Sequence, residues 1–342
     1  MRRPGRPEEG RDDPDDRIDA RPVLLVLRAL GLGDLLTGVP ALRGLRRAYP
    51  EHRLVLAAPS PLRPLLPLIG GVDALLDVSG PGPVPLHAPD IAVNLHGRGP
   101  ESTAALLRTA PARLLSHAPP NRTGLRAMRL MREIRGVRGP RWREDVHEVR
   151  RWCDMLAWFG VPADPADLDI AAPPETAREA EAPVVIHPGA AYPARRWPPE
   201  RYAEVAAALR RAGQRVVVTG GGQERVLARR VAAMAGLTDE AVLAGRTGLG
   251  DLARVVARAR LLICGDTGVA HLATALRTPS VVLFGPVSPA QWGPPPDRRE
   301  HIVLWAGRTG DPHGARPDPG LLDIDARQVT DAALSLLEVG IT

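Results

Sequence analysis

A chain of 342 residues is long for a single core and suits two domains of ordinary size, and 44% hydrophobic with 25% charged residues describes a globular protein rather than a disordered one. The formal charge of +6 comes from 45 basic and 39 acidic side chains, every basic one an arginine, while aromatics make up only 3%. Arginine suits an anionic ligand, but scarce stacking aromatics and no recognised motif argue against nucleic acid.

Taken in order, residues 1–20 carry Pro, Gly and mixed charge with little to bury, so a disordered leader is expected there, without the apolar run of a signal peptide. The run Val23–Leu27 is continuously apolar, as a strand covered on both faces must be; Gly31 and Gly33 then break it, and a helical pattern follows through Arg47. Shorter apolar runs at 54–57 and 91–95, with helical spacing at 102–107, extend a first parallel sheet. Val146, Val149, Trp152, Met155 and Phe159 then recur at helical spacing, and Gly160 and Pro162 close that helix.

The stretch from Pro162 to Pro183, rich in Pro, Ala and Asp, reads as an interdomain linker. Beyond it, apolar runs at 184–187, 215–219, 261–264 and 280–284 alternate with helical stretches at 199–211, 224–235, 249–259 and 269–276. Strand and helix in alternation imply right-handed crossovers and a second doubly wound sheet. The expected organisation is therefore α/β: one Rossmann-like domain over 21–165, a linker over 166–182, a second such domain over 183–325, and a C-terminal helix over 326–342 free to pack back across both. No segment reaches the ~18 uninterrupted apolar residues of a membrane span. The two cysteines, Cys153 and Cys264, lie apart in apolar sequence, which fits a reducing cytoplasm and neither a disulfide framework nor a metal site.

Three motifs fall where strands end, the place where open sheets bind ligands. At the end of the 261–264 run, Gly265, Asp266, Thr267 and Gly268 open a helix whose free N–H groups suit a diphosphate, with His271 one turn on; helix capping is the plainer alternative. After the 184–187 run, Gly189 allows close approach of a ligand, and Arg195 and Arg196 precede Trp197 and are placed to neutralise a diphosphate. After Val23–Leu27, Gly31 and Gly33 lack the third glycine of a dinucleotide fingerprint, but Asp34 stands at a helix start. The helix dipole is expected to keep it ionised, ready to act as a general base, with simple capping again the alternative. Of lesser weight, Glu224 after Gly220, Gly221 and Gly222 suits a ribose, Thr247 is counted with the donor side, and His96 and Arg98 end a first-domain strand.

These segments resemble glycosyltransferase family 9, the ADP-heptose:lipopolysaccharide heptosyltransferase-like family, over roughly 23–296. The most specific pieces are Asp266-Thr267-Gly268-Val269-Ala270-His271 and Phe284-Gly285-Pro286, with Arg195-Arg196-Trp197-Pro198 and Gly33-Asp34 in matching order. The resemblance implies a GT-B fold and an inverting transfer with no tightly bound cofactor or metal. A nucleotide-diphosphate sugar, ADP-heptose or a relative, is the implied co-substrate. Asp34 is then the implied base. Gly33, Gly189, Arg195, Arg196, Glu224, Thr247, Asp266, Thr267, Gly268 and His271 form the implied donor side, and His96 and Arg98 the acceptor side. Arg195 stands where many relatives carry Lys, and His96 where they often carry Gln. The implied acceptor is a glycan, a lipid-linked sugar or a small molecule, and peripheral association with a membrane is compatible with it. A sugar-nucleotide epimerase of the same fold and a non-catalytic nucleotide-sugar-binding module stand as alternatives.

Overall fold

The structure, a computed structural model, describes residues 21–119, 125–174 and 182–339. The expected leader, and residues 175–181 of the expected linker, lie outside the described residues.

In the first half, β1 (Val23–Leu27), β2 (Arg53–Ala58), β3 (Ala74–Asp77), β4 (Ile91–Asn94) and β5 (Arg113–Leu115) form a parallel sheet in the order β3-β2-β1-β4-β5. Its helices are α1 (Leu32–Thr37), α2 (Val39–Ala48), α3 (Leu66–Ile69), α4 (Glu101–Leu107), α5 (Leu125–Glu133) and α6 (Glu148–Trp158). In the second half, β6 (Val184–His187), β7 (Val216–Val218), β8 (Leu261–Gly265), β9 (Ser280–Phe284) and β10 (His301–Trp305) form another, in the order β10-β9-β8-β6-β7. Around it lie α7 (Pro199–Arg211), α8 (Arg225–Met234), α9 (Leu249–Arg258), α10 (Gly268–Ala275), α11 (Pro289–Trp292), α12 (Pro319–Leu322) and α13 (Ala326–Val339). Both sheets are doubly wound, as the alternating pattern requires.

Strand order reverses between β1 and β4 in the first sheet and between β6 and β8 in the second. Register sets Leu27 beside Asn94 and His187 beside Cys264, so the loops leaving each pair open a crevice at the carboxyl ends of the strands. The three main motifs read from the sequence leave β1, β6 and β8, and His96 and Arg98 follow β4, whereas the Gly220–Gly222 turn with Glu224 follows β7 and Phe284-Gly285-Pro286 ends β9.

Two expectations need correction. The helix anticipated through Arg47 is two helices, because Pro40 in the first turn of α2 has no N–H to continue a ladder from α1. Gly38 between them also makes room, since a Cβ there would lie 3.0 Å from Arg28 Cδ. The sheets are also wider than the apolar runs announce: β3, β5 and β10 are edge strands, and Arg113 at the start of β5 is exposed.

One apolar cluster runs through both halves, joining Leu35, Leu36 and Leu42 to Val256, Val269 and Leu272, and α1 packs directly on α10. The described start of the linker is tied to both halves. Ile170 N–H donates to Ala275 O (2.9 Å), Ala171 N–H donates to Leu68 O (2.8 Å), and Asp167 pairs with Arg43 and Arg47. Helix α13 packs on α7, β8 and β9 through Val329, Ala333 and Leu337, so its main packing is on the second sheet rather than across the halves. Among the described residues, no helix is long and apolar enough to cross a membrane.

Candidate active site

The two crevices share a cavity of about 500 Å³. Gly31, Leu32, Gly33 and Asp34 line it from the first half; His187, Arg195, Thr247, Asp266, Thr267, Gly268, His271 and Trp292 line it from the second. The halves touch at its floor, where a Cβ on Gly268 would lie 2.9 Å from Leu32 Cβ and 3.0 Å from Gly33 N. Only glycine lets these two loop-to-helix turns close on each other.

At the second-half wall, β8 delivers Thr267 to the N-cap of α10, where its side chain caps no backbone N–H. The capping alternative is thus not what Thr267 does; its hydroxyl and the first-turn N–H groups are left for an anion. Asp266 is 5% exposed, and burial pushes its carboxyl up against the opposing effect of Arg195. Arg195 Nη1 lies 3.3 Å from Asp266 Oδ2 but outside hydrogen-bond geometry, and both Asp266 Oδ2 and Arg195 Nε are buried without a hydrogen-bond partner. Arg195 is partly exposed, but its buried Nε–H has no partner and costs free energy that a bound anion would recover. His271 packs its ring edge-to-face on Trp292 and is pushed down to about 4 by burial, then by His147, so it is neutral near pH 7 and holds one N–H to donate.

Asp34 sits in the first turn of α1 with its side chain 28% exposed; its Oδ2 accepts the Gly31 N–H at 3.2 Å, so the capping alternative is partly realised here. Burial raises its pKa, opposed by Arg28. The expectation that the helix dipole dominates is therefore corrected: desolvation is the largest influence, and it makes the carboxylate a stronger base.

The remaining sequence candidates divide. Arg196 donates through Nε to Ala190 O (2.8 Å) and, with Gln223 and Glu224, lines an adjoining recess of about 580 Å³ that shares Ala191 and Gly221 with the main cavity. Glu224 Oε2 accepts the Gly221 N–H at 2.7 Å, and a Cβ on Gly189 would collide with the Glu224 carboxylate, so Gly189 makes room for a side chain where close approach of a ligand was expected. His96 and Arg98 follow β4 but do not line either cavity; Arg98 pairs with Glu144 at 2.7 Å, and His96 is depressed to about 4 by burial and by Arg28.

In the sequence reading His187 and Arg28 head two motifs but have no role, and Trp292 and Glu148 have neither motif nor role. His187 ends β6 facing the cavity, its Nδ1 3.0 Å from Thr219 Oγ1. Arg28 is fully buried, and Glu148 accepts its guanidinium at 3.3 Å. A signal for Glu148 existed: it stands four residues before Trp152, on the apolar face of its helix. Among the described residues, no cluster of three His, Cys, Asp or Glu side chains is arranged to hold a metal ion.

Two doubly wound parallel sheets facing across a cleft, with the α10 N-terminus on one side and the Asp34 carboxylate on the other, define the GT-B class. The model of glycosyltransferase family 9 (heptosyltransferase) matches residues 111–313, and the chain belongs to that family. It is 31% identical over 173 residues to lipooligosaccharide heptosyltransferase 2 of Haemophilus influenzae, covering 48% of this chain and 50% of that protein. The match thus spans about half the length of that relative. Among solved structures, E. coli ADP-heptose LPS heptosyltransferase II superposes with a TM-score of 0.70 at 23% identity, covering 94% of this chain and all (100%) of that one. E. coli heptosyltransferase WaaC with ADP superposes with a TM-score of 0.65 at 20% identity, covering 93% and 99%. These likenesses establish the fold.

Proposed function

We propose that this chain is an inverting glycosyltransferase that moves a heptose or related sugar from a nucleotide diphosphate, ADP-heptose or a close analogue, to a hydroxyl of a glycan, lipid-linked or small-molecule acceptor. The observation that carries the reading is that Asp34 from one half and Asp266, Thr267, Gly268 and His271 from the other line one cavity. Support for the donor comes from the curated relative, named a heptosyltransferase, and from the solved relatives, one named for ADP-heptose and one holding ADP.

In this reading the second half holds the donor and the first half receives the acceptor. The diphosphate rests on the α10 N-terminus, with Thr267 and the His271 N–H donating to its oxygens and Arg195 neutralising charge as the sugar leaves. The acceptor hydroxyl attacks the anomeric carbon from the opposite face, and its proton passes to Asp34 as the new bond forms, because a free alcohol is too weak an acid to ionise beforehand. Attack opposite the leaving group inverts the anomeric centre. The apolar wall of Leu32, Leu249, Leu252 and Trp292 limits water at the reacting carbon. The donor in this scheme is a water-soluble nucleotide sugar, which suits a cytoplasmic enzyme.

Asp34→Asn is the test. Transfer should fall by roughly 10²–10⁴-fold, the range of a general base, while ADP still raises the melting temperature. Full transfer by the variant would end the base assignment, and product formed from donor alone would favour an epimerase.

A further inference from the structure

Among the described residues Arg28 is the largest charged side chain in the fully buried interior, and its partners come from α1, α6 and the turn after β4. Nη2 donates to Thr37 Oγ1 (2.9 Å) and to Glu148 Oε1 (3.3 Å), Nε donates to the Asp34 carbonyl, and Nη1 donates to Leu95 O just beyond β4. Its guanidinium also lies over the Trp152 ring, 5.0 Å from the centroid. Thr37 Oγ1 sits within 3.0 Å of Gly33 O and 3.1 Å of Asp34 O, so the same group clamps the first turn of α1 twice. Gly38 supplies the space this guanidinium occupies.

The clamp leaves the carboxylate itself open. Arg28 Nη2 is 4.0 Å from Asp34 Oδ1, close enough for charge to act but too far for a hydrogen bond, while Oδ2 is occupied by the Gly31 N–H. Glu148 balances the arrangement: buried at 7% exposure, it is held by Arg151 Nε (3.0 Å) and Trp152 Nε1 (2.8 Å), and Arg28 and Arg151 keep it ionised.

We infer that Arg28, braced by Glu148, is a positioning residue for the proposed transfer: it fixes the first turn of α1 and holds Asp34 as an anion with Oδ1 free to take the acceptor proton. This rests on the reading of Asp34 as the base, but the electrostatic coupling it requires is measurable without turnover. The other groups around this network are His271 of α10 and His147 before α6, both depressed by burial, His96 beyond β4, Arg151 of α6, and Arg195 across the cavity. The histidines are neutral at pH 7, so Arg28 and Glu148 are the charges that act most directly on Asp34, as the order of its influences also has it.

The experiment is a carbon-13 NMR titration of the Asp34 carboxyl in the full chain, assigned by its loss in Asp34→Asn. Glu148→Gln removes a charge that raises the Asp34 midpoint, so the midpoint should fall by about half a unit; Arg28→Met removes the one that lowers it, so the midpoint should rise by about one unit or more. Arg28→Lys keeps the charge but loses the fork, so the midpoint should stay within ~0.3 unit of wild type. Turnover measured as ADP release in Arg28→Lys should nevertheless drop by about tenfold with the donor KM little changed, because orientation is lost and donor contacts are not. Should Arg28→Met not fold, Glu148→Gln decides alone. A midpoint unmoved in Glu148→Gln overturns the inference whatever the reaction proves to be, whereas shifted midpoints together with an active Asp34→Asn would leave the coupling intact and sink the transfer reading instead.

Discussion

Gly33 and His271 face each other across the two halves so closely that a methyl group on Gly33 would lie 2.7 Å from His271 Cδ2 and 3.3 Å from Gly268 Cα. The carboxylate-bearing turn of α1 and the first turn of α10 are therefore in contact, with the His271 ring at the junction.

Gly33→Ala should disturb the site more than the fold. The added methyl must displace the His271 ring or part α1 from α10, an overpacking cost of about 1–3 kcal/mol. We expect kcat/KM for the donor to drop at least ~10-fold while the melting temperature falls by only a few degrees. Kinetics equal to wild type would mean that the two turns do not need this contact.

Arg195 and Arg196 are adjacent in sequence but have different surroundings. Arg195 faces buried Asp266 with an unused Nε, whereas Arg196 spends its Nε on Ala190 O and lines the side recess. Arg195→Gln should weaken ADP binding by about tenfold or more, the worth of a charge-assisted pair, and Arg196→Gln by less than about threefold. Calorimetry with ADP reads both; equal losses would remove the distinction.

Stability should fall on mild acidification. Burial is the largest influence on His96, His117, His271 and His301, and each is depressed to about 4 from an ordinary value of 6.5. Between those values the unfolded chain binds more protons than the folded one, so their contribution is complete above about pH 6.5, declines as pH falls, and is gone below about pH 4. Asp34 and Asp266 are raised and act oppositely, gaining stability as pH drops through the range just above 3.8, but His147 and His187 are lowered as well, so these two carboxyls oppose six histidines. Differential scanning calorimetry at pH 7 and pH 5 should show the lower melting temperature at pH 5; a flat or rising trend would contradict the burial of these imidazoles.

Much of the site was legible because its chemistry is local. Thr267, Gly268 and His271 share one strand-to-helix turn, so their order alone puts them at a helix N-terminus. Gly33 and Asp34 are placed in the same way by β1. Arg28 was not legible: a lone arginine after a buried strand gives no hint that its partners, Thr37, Leu95 and Glu148, lie up to 120 residues along the chain. Gly189 was legible as a tight spot but not for what fills it, since Glu224 comes from the next crossover.

The sequence by itself determined two parallel α/β sheets and the turns that carry their polar groups, because short apolar runs bounded by turn residues and alternating with helical stretches are the pattern of strands buried on both faces, and because glycines and caps act over a few residues. Tertiary structure alone decided that these turns meet. The contact between Gly33 and Gly268, the burial that raises the pKa of Asp34 and Asp266, and the clamp of Arg28 on α1 all depend on groups brought together from distant parts of the chain, and desolvation and Coulomb forces follow distance in space, which no local pattern of residues records.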